Sequence, residues 1–455
     1  MKSLNFARYA FITAAVGLFA TSSDAAWTYT ETEVVSGIGK GSITDGVWTF
    51  YAERAKGATD ELTVDASKGM SINPAQPAKI DFSEIEGGYK VVKFVGVRNT
   101  SSLLVLYTTE FIAPHCTNLS GQEIFYPGSK ANTTLTKIQL REDAVITLGS
   151  DRMFKNCTSL SSFSPRKIAN GTLQIDMFSG CSSLDGTFEL TECTTINSSV
   201  FNGCSKLGDI KAENAVSIGQ SSFAGCSSLS NIVLSSAVSA VGNYAFSGCS
   251  KITTEFVQGI LNKGLTRLGN SETSRQGCFQ NCSGLTGTLV WNCPNVTVIP
   301  KECFSGCSSL ERVEIKSYVS EIQQQAFLNL KESAEIYLPE IPVEVYGAHA
   351  IARSSAPFPR VYLFGDIQIW LEKMYENASN HLIKKEEFGD TSWVSKNRND
   401  VTWGRNMGVK VKSDTTMYED GKVKDKNVVG FIMGNTNNGC WILKQPEEGF
   451  KVIVR

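Results

Sequence analysis

The hydrophobic pattern of this chain has a long period. A phenylalanine, one variable residue, a glycine or asparagine and a cysteine recur as Phe-x-Gly/Asn-Cys at Phe154, Phe178, Phe201, Phe223, Phe246, Phe279 and Phe304, with an eroded copy at Phe327. The Phe-to-Phe steps are 24, 23, 22, 23, 33, 25 and 23 residues. A regular step of this size predicts stacked units, none of which can bury its apolar side alone. Behind one motif, Leu229, Ile232 and Leu234 follow the spacing L-x-x-I-x-L, which predicts a short strand with alternate residues facing inward. A second apolar pair follows, as in Val238 and Val241 or Val319 and Ile322. A helical turn is expected to carry the Phe into the interior. The third motif position is Gly180, Gly203, Gly225, Gly248 and Gly306 in some copies and Asn156, Asn281 and Asn329 in others. Gly and Asn tolerate positive φ, so this position is predicted to be left-handed in every copy.

Outside the repeats the pattern changes. Residues 1–25 read as a signal peptide: Lys2 and Arg8 are basic, Tyr9 to Phe19 is a short apolar run, and Ser23-Asp24-Ala25 offers small residues for cleavage. Residues 26–100 alternate in short bursts, among them Val47 to Tyr51, Leu62 to Val64, Lys79 to Phe82 and Tyr89 to Val95. They predict a β-rich cap over the first unit. Residues 101–365 hold the repeats. The run Phe111 to Leu119 reads as a stretched copy of the motif, and Leu135 to Leu140 as a strand. Leu184 to Phe188 and Leu285 to Leu289 read as strands opened by an extra Gly-Thr. The long 33-residue step predicts a polar loop from Gly259 to Gly277 leaving one face. Arg360 to Leu363 is expected to be the final strand. Residues 366–455 predict a small α+β module. Ile367, Trp370, Leu371, Met374 and Tyr375 form one helical stripe, strands are expected at 431–433 and 440–443, and Asn438-Gly439 is a hairpin signal.

The unit resembles the leucine-rich repeats of the BspA-like surface proteins, whose repeat runs xxIGxxAFxGCxxLxxVxLP. Ile218-Gly219-Gln220-Ser221-Ser222-Phe223-Ala224-Gly225-Cys226 and Val241-Gly242-Asn243-Tyr244-Ala245-Phe246-Ser247-Gly248-Cys249 carry the likeness. The resemblance covers roughly residues 100 to 365 and implies a β-rich leucine-rich-repeat solenoid of short strands and helical turns, with repeats of ~23 residues. It also implies a secreted or surface-displayed protein that binds other macromolecules.

Composition narrows the chemistry. Of 455 residues, 43 are Lys or Arg and 45 are Asp or Glu, for a net charge of −2, so nothing favours nucleic acid or an anionic membrane as partner. No stretch after residue 25 is long and apolar enough to span a membrane. Thirteen cysteines in an exported chain suggest disulfides. Yet Cys157, Cys181, Cys204, Cys226, Cys249, Cys282 and Cys307 share one motif position and should stack in a column. Adjacent rungs lie about 4.8 Å apart, whereas bridged Cβ atoms lie about 3.5–4.5 Å apart. Core packing is therefore favoured over cross-linking. Cys278 and Cys303 stand where other units have Ala245 or Ala326, so a small buried residue explains them better than a zinc site with Cys282 and Cys307. Oxidation of Cys278 with Cys303 is the second alternative. The histidines, His115, His349 and His381, sit in unrelated contexts, and no nucleophile elbow, H-E-x-x-H or P-loop is present. No catalytic residue, metal or cofactor is expected.

The functional expectation is a binding module acting through its strand face. Residues flanking the central apolar position of each strand point away from the core. They are Asp209 and Lys211, Asn231 and Val233, Arg312 and Glu314, Glu335 and Tyr337, and Arg360 and Tyr362. Their mixed charge and two tyrosines suit a protein or other extracellular macromolecule better than a polyanion. The alternatives are a carbohydrate-active or other enzyme with its site in the terminal regions, and a structural surface-layer component.

Overall fold

A computed structural model describes residues 26–339, apart from residues 59, 74–76, 97–102, 122, 150, 165, 270–275 and 333. It also describes strand segments at 345–346, 351–352, 360–362, 418–419, 422–423, 428–433 and 440–444. The expected signal peptide and the helical stripe at 367–375 lie outside the described residues.

The chain opens with antiparallel strands Thr28–Val35, Ile38–Thr44 and Trp48–Arg54, the last also pairing Glu61–Asp65 and Met70–Ile72. Alternate residues of Ile38–Thr44 and Trp48–Arg54 are buried, so one face of this sheet lies on the core. Its aromatic filling is Trp27, Trp48, Phe50, Phe82 and Phe94, with Trp27 centred 4.5 Å from Phe82 and Trp48 stacked 5.7 Å from Phe50. Parallel pairing begins at Glu61–Asp65 with Lys90–Val95, ahead of the first Phe-x-Gly/Asn-Cys motif.

From there the chain coils as a solenoid. One column of parallel strands runs Ala78–Asp81, Thr108–Ile112, Lys137–Gln139 and Ser162–Ser164, and another Gly186–Glu189, Leu207–Ala212 and Asn231–Leu234. A second face stacks two-residue strands from Thr172–Leu173 to Arg267–Leu268, and again from Val298–Ile299 to Val345–Tyr346. The extra Gly-Thr at the head of two strands is a bulge. Gly186 and Gly287 have φ of 77° and 65°, and the register shifts beside each.

The predicted left-handed position is left-handed in every copy: Asn156, Gly180, Gly203, Gly225, Gly248, Asn281, Gly306 and Asn329 all have φ between 56° and 79°. The turns, however, are not helical. Every turn but that of Phe279, where Gly277 keeps an ordinary φ, carries a second left-handed residue two positions before the Phe: Glu123, Arg152, Asp176, Ser199, Ser221, Tyr244, Glu302 and Gln325. Alternating handedness turns every second peptide along the coil axis, so those peptides bond to the next rung while the ones between bond within the turn, as the Ala224 amide does to Ser221 and the Cys226 amide to Phe223. The amides of Ser221, Phe223 and Gly225 donate to the carbonyls of Asn243, Ala245 and Ser247 at 2.8, 2.9 and 2.7 Å. Those of Tyr244, Phe246 and Gly248 donate to Gln276, Cys278 and Gln280 at 3.0, 2.9 and 2.7 Å, straight across the 33-residue step. This ladder fixes the Phe rings in a column. Phe125, Phe154, Phe178, Phe201, Phe223, Phe246, Phe279, Phe304 and Phe327 follow one another with centroids 5.3–5.7 Å apart and planes within 12°. Each such buried ring contributes roughly 1.5–3 kcal/mol from its area, and the ring pairing about 0.5–1.5 more.

Three expectations are corrected. Phe111 is not a motif phenylalanine. It is the central strand residue, in register with Ile138, and Phe125 heads the ring column instead. Gly259 to Gly277 is not a loop throughout, and residues 270–275 of it lie outside the described residues. Thr254–Leu261 is a helix within the rung, with Val257, Ile260 and Leu261 buried, and Arg267–Leu268 returns to a strand. Its apolar residues fall on one helical face, and Thr253 caps it by accepting the amide of Phe256 at 3.2 Å. Arg360–Tyr362 is not the final strand. Cys440–Lys444 pairs parallel to it and Val428–Met433 pairs antiparallel beyond, so the hairpin read at the C-terminus continues the solenoid sheet.

Candidate functional site

The strand face is built by the parallel register. Asp209 pairs with Asn231 and Lys211 with Val233, Arg312 with Glu335 and Glu314 with Tyr337, Glu335 with Arg360 and Tyr337 with Tyr362. The expected columns therefore exist in the expected order. They do not form one surface. Where the next strand after Asn231–Leu234 should lie, helix Thr254–Leu261 takes its place, and the sheet restarts at Gly287–Trp291. The helix is joined to the new sheet by side chains that act as a strand edge. Gln258 accepts the amide of Val290 through Oε1 and donates to its carbonyl through Nε2, both at 2.7 Å. Thr254 Oγ1 donates to the carbonyl of Thr286 at 2.6 Å and accepts its amide at 2.9 Å. On the other side, Lys263 Nζ donates to the carbonyls of Leu234 and Ser235.

The patch before the helix holds Asp209, Lys211, Asn231 and Val233. Lys211 lies 3.3 Å from Glu189, and Val233 is one of the exposed large hydrophobic residues. The patch after the helix is more ordered by charge. Arg312 donates to Glu335 Oε2 from Nε at 3.0 Å and from a terminal nitrogen at 2.5 Å, and the Tyr337 hydroxyl donates to the same oxygen at 3.3 Å. The Arg312 guanidinium lies 5.0 Å from the centre of the Tyr337 ring. Glu314 lies 3.9 Å from Arg312 and 3.4 Å from Lys316. Tyr337, expected to point outward as a free aromatic, is only 9% exposed, because its ring packs along the strand under Arg312. Arg360 and Tyr362 extend these columns as strand residues, and their side chains lie outside the described residues.

Lys331 and Glu311 belong to this patch and were not read from the sequence. They form an ion pair at 2.5 Å, and with Thr288, Arg312, Glu332 and Glu335 they line an open, polar hollow of about 440 Å³. Lys331 precedes its strand by several residues, so no strand periodicity marks it. A second hollow of about 480 Å³ lies further towards the N-terminus, over Ser162, Ser164, Lys167 and Glu189.

The cysteine column has a bonding role beyond filling space. Cys181, Cys204, Cys226, Cys249, Cys282 and Cys307 each point their thiol at the carbonyl of the preceding unit's phenylalanine, at 3.0–3.2 Å. That carbonyl also accepts the amide of the cysteine in its own turn, as Phe201 does from Cys204. Burial pushes the Cys249 and Cys307 thiols up to about 12. Among the described residues, no group of three or more His, Cys, Asp or Glu is placed to hold a metal ion.

The solved structures that resemble the chain include a leucine-rich-repeat protein of Treponema pallidum, 17% identical over 48% of this chain and 94% of that one, with a TM-score of 0.36. A leucine-rich-repeat protein of Bacteroides ovatus is also 17% identical, over 75% of this chain and 97% of that one, with a TM-score of 0.37. A leucine-rich cell surface protein of Faecalibacterium prausnitzii is 17% identical over 72% and 96%, with a TM-score of 0.31. No curated protein matches the chain. The family model for the BspA type leucine-rich repeat region matches six copies over residues 128–253 and 272–377, just over half of the sequence. The chain thus belongs to the BspA-type leucine-rich-repeat proteins.

Proposed function

We propose that this protein is exported and holds a protein partner at or outside the cell surface through its strand face, chiefly the patch after the helix. The observation that carries the reading is the Arg312–Glu335–Tyr337 arrangement. Three side chains from adjacent rungs are fixed by mutual hydrogen bonds and ring contact, beside a polar hollow. Groups held in place before binding lose little freedom on docking. Stacked repeats present such extended surfaces as a consequence of their register. Export rests on the basic and apolar character of residues 1–25. Among the described residues no helix is long and apolar enough to cross a membrane.

The test is cross-linking of the full chain to cell-surface extract through lysines, read by mass spectrometry. Links should concentrate on Lys316 and Lys331, and a double variant Arg312→Glu, Lys331→Glu should lower retention of the cross-linked partner by about tenfold, a loss of one well-packed anchor. Its thermal midpoint should stay within a few degrees of the parent, since both side chains are partly exposed. Links confined to residues 366–455, or unchanged retention, would overturn the reading. Tyr337→Ala is unsuitable here, because the ring is nearly buried.

A further inference from the structure

Two of the twelve described cysteines are set apart. Ten point their thiols at backbone carbonyls, Cys116, Cys157, Cys193 and Cys293 in addition to the six named above. Cys278 and Cys303 are instead hydrogen-bonded to each other. They stand in register on successive rungs, just before the ring column: Phe246 donates its amide to the Cys278 carbonyl and Phe279 to the Cys303 carbonyl, each at 2.9 Å. Both are fully buried.

We propose that Cys278 and Cys303 are a cross-linking site, closing to a disulfide when the chain folds in an oxidising compartment. The compartment follows from the proposed export, but the bond itself can be tested without it. The column cysteines would each have to release a carbonyl to reach a neighbouring sulfur. Cys278 and Cys303 exchange only a weak thiol–thiol hydrogen bond. Rung spacing leaves the Cβ atoms a few tenths of an ångström beyond the bridging range, as it does in the column, so closing this bond draws the two turn backbones together by that amount. The place is also apt. These rungs are the first after the helix, where the strand sheet restarts and the Gly287–Trp291 strand has side chains of the helix, not a strand, on its N-terminal side.

In the reaction a small-molecule disulfide is reduced to two thiols. The two cysteines together give up two electrons and two protons, and one sulfur–sulfur bond forms as the other breaks. Burial pushes the Cys303 thiol well above its ordinary value, so that thiol is a poor nucleophile in the folded, reduced chain. Exchange therefore belongs to the folding chain, before the core closes.

The experiment refolds the full chain from denaturant with oxidised glutathione, then unfolds and alkylates it for peptide mass spectrometry. The expected result is one linked peptide pair containing Cys278 and Cys303, with every column cysteine alkylated. The thermal midpoint of the oxidised chain should fall on adding a dithiol reductant. Cys278→Ala and Cys303→Ala should show neither the link nor the reductant effect. Both should fold, because alanine occupies the same position at Ala245 and Ala326. Alkylation of both Cys278 and Cys303 in all preparations would overturn the proposal, as would linkage of either one to Cys282 or Cys307, or to glutathione alone.

Discussion

At the scale of the residue, the Gly/Asn position shows what sequence can reveal and what it hides. Those two residue types share little except tolerance of positive φ, so their alternation marked the backbone conformation. The second left-handed position carried no such mark. Glu123, Arg152, Asp176, Ser199, Tyr244 and Gln325 share no side-chain property, and what holds them left-handed is the set of bonds to the next rung. The glycines also divide in a way that only neighbours explain. A Cβ on Gly225 would meet Gly203 no closer than 3.6 Å, so Gly225→Ala should cost about 1–2 kcal/mol, the left-handed penalty alone. A Cβ on Gly180 or Gly306 would lie 2.6 or 2.2 Å from the side-chain oxygen of Asn156 or Asn281 in the rung before. Gly180→Ala and Gly306→Ala should therefore cost more than Gly225→Ala in denaturant unfolding. Replacing the asparagine by glycine in the same chain, as in Asn156→Gly with Gly180→Ala, should restore the smaller figure. Equal costs at all three glycines would show that the asparagine side chains exert no crowding.

At the scale of the element, strands were legible and the one substitution of a strand was not. Alternation and the L-x-x-I-x-L spacing located the strand columns, and register then followed from the repeat step. Phe111 misled because a bulky strand residue near a cysteine imitates the motif. Only the ring stack shows that Phe125 is the true member. The helix at 254–261 had its signal in the sequence, a threonine cap followed by Phe256, Val257, Ile260 and Leu261. The long step and its glycines drew attention to a loop instead. Its ties to the sheet run through two side chains, Thr254 and the amide of Gln258. Gln258→Ala would leave the amide and carbonyl of Val290 without those partners, at a cost of about 1–3 kcal/mol for a partly buried pair. Gln258→Glu keeps the acceptor and loses the donor, so it should fall between the parent and the alanine variant in thermal midpoint. If Gln258→Ala is neutral, water replaces the amide and the helix is held by its apolar face and the Thr254 and Lys263 bonds.

At the scale of the whole molecule, the coil was written in the period and the site only in outline. The outward columns could be read, but their division by the helix and the Lys331–Glu311 pair could not, since both depend on residues meeting across rungs. The buried thiols give the solenoid a collective response to alkali. Burial raises all seven, Cys157, Cys181, Cys204, Cys226, Cys249, Cys282 and Cys307. Below the unfolded value near 9, folded and unfolded chains hold the same thiol protons and the column costs nothing. As pH rises towards about 12 the unfolded chain releases protons that the folded one keeps, so stability falls. Each thiol then removes about 1.4 kcal/mol per pH unit, and seven together reach the ~5–15 kcal/mol of an ordinary domain within about one to two units. A circular-dichroism titration should show the strand signal lost steeply above about pH 10. Cys204→Ala should make the loss less steep, and a coil that persists unchanged to about pH 12 would remove the thiols as its cause. The turn ladder adds one more property of the whole. Two or three peptides per turn point their N–H groups towards the later rung and their carbonyls towards the earlier one. Their dipoles, each about 3.5 D, add along the axis as they do in a helix, but with the opposite sense: here the positive pole lies at the C-terminal end. The turn face is thus an electrically oriented rod, able to tell a negatively charged surface at one end from a positively charged one at the other.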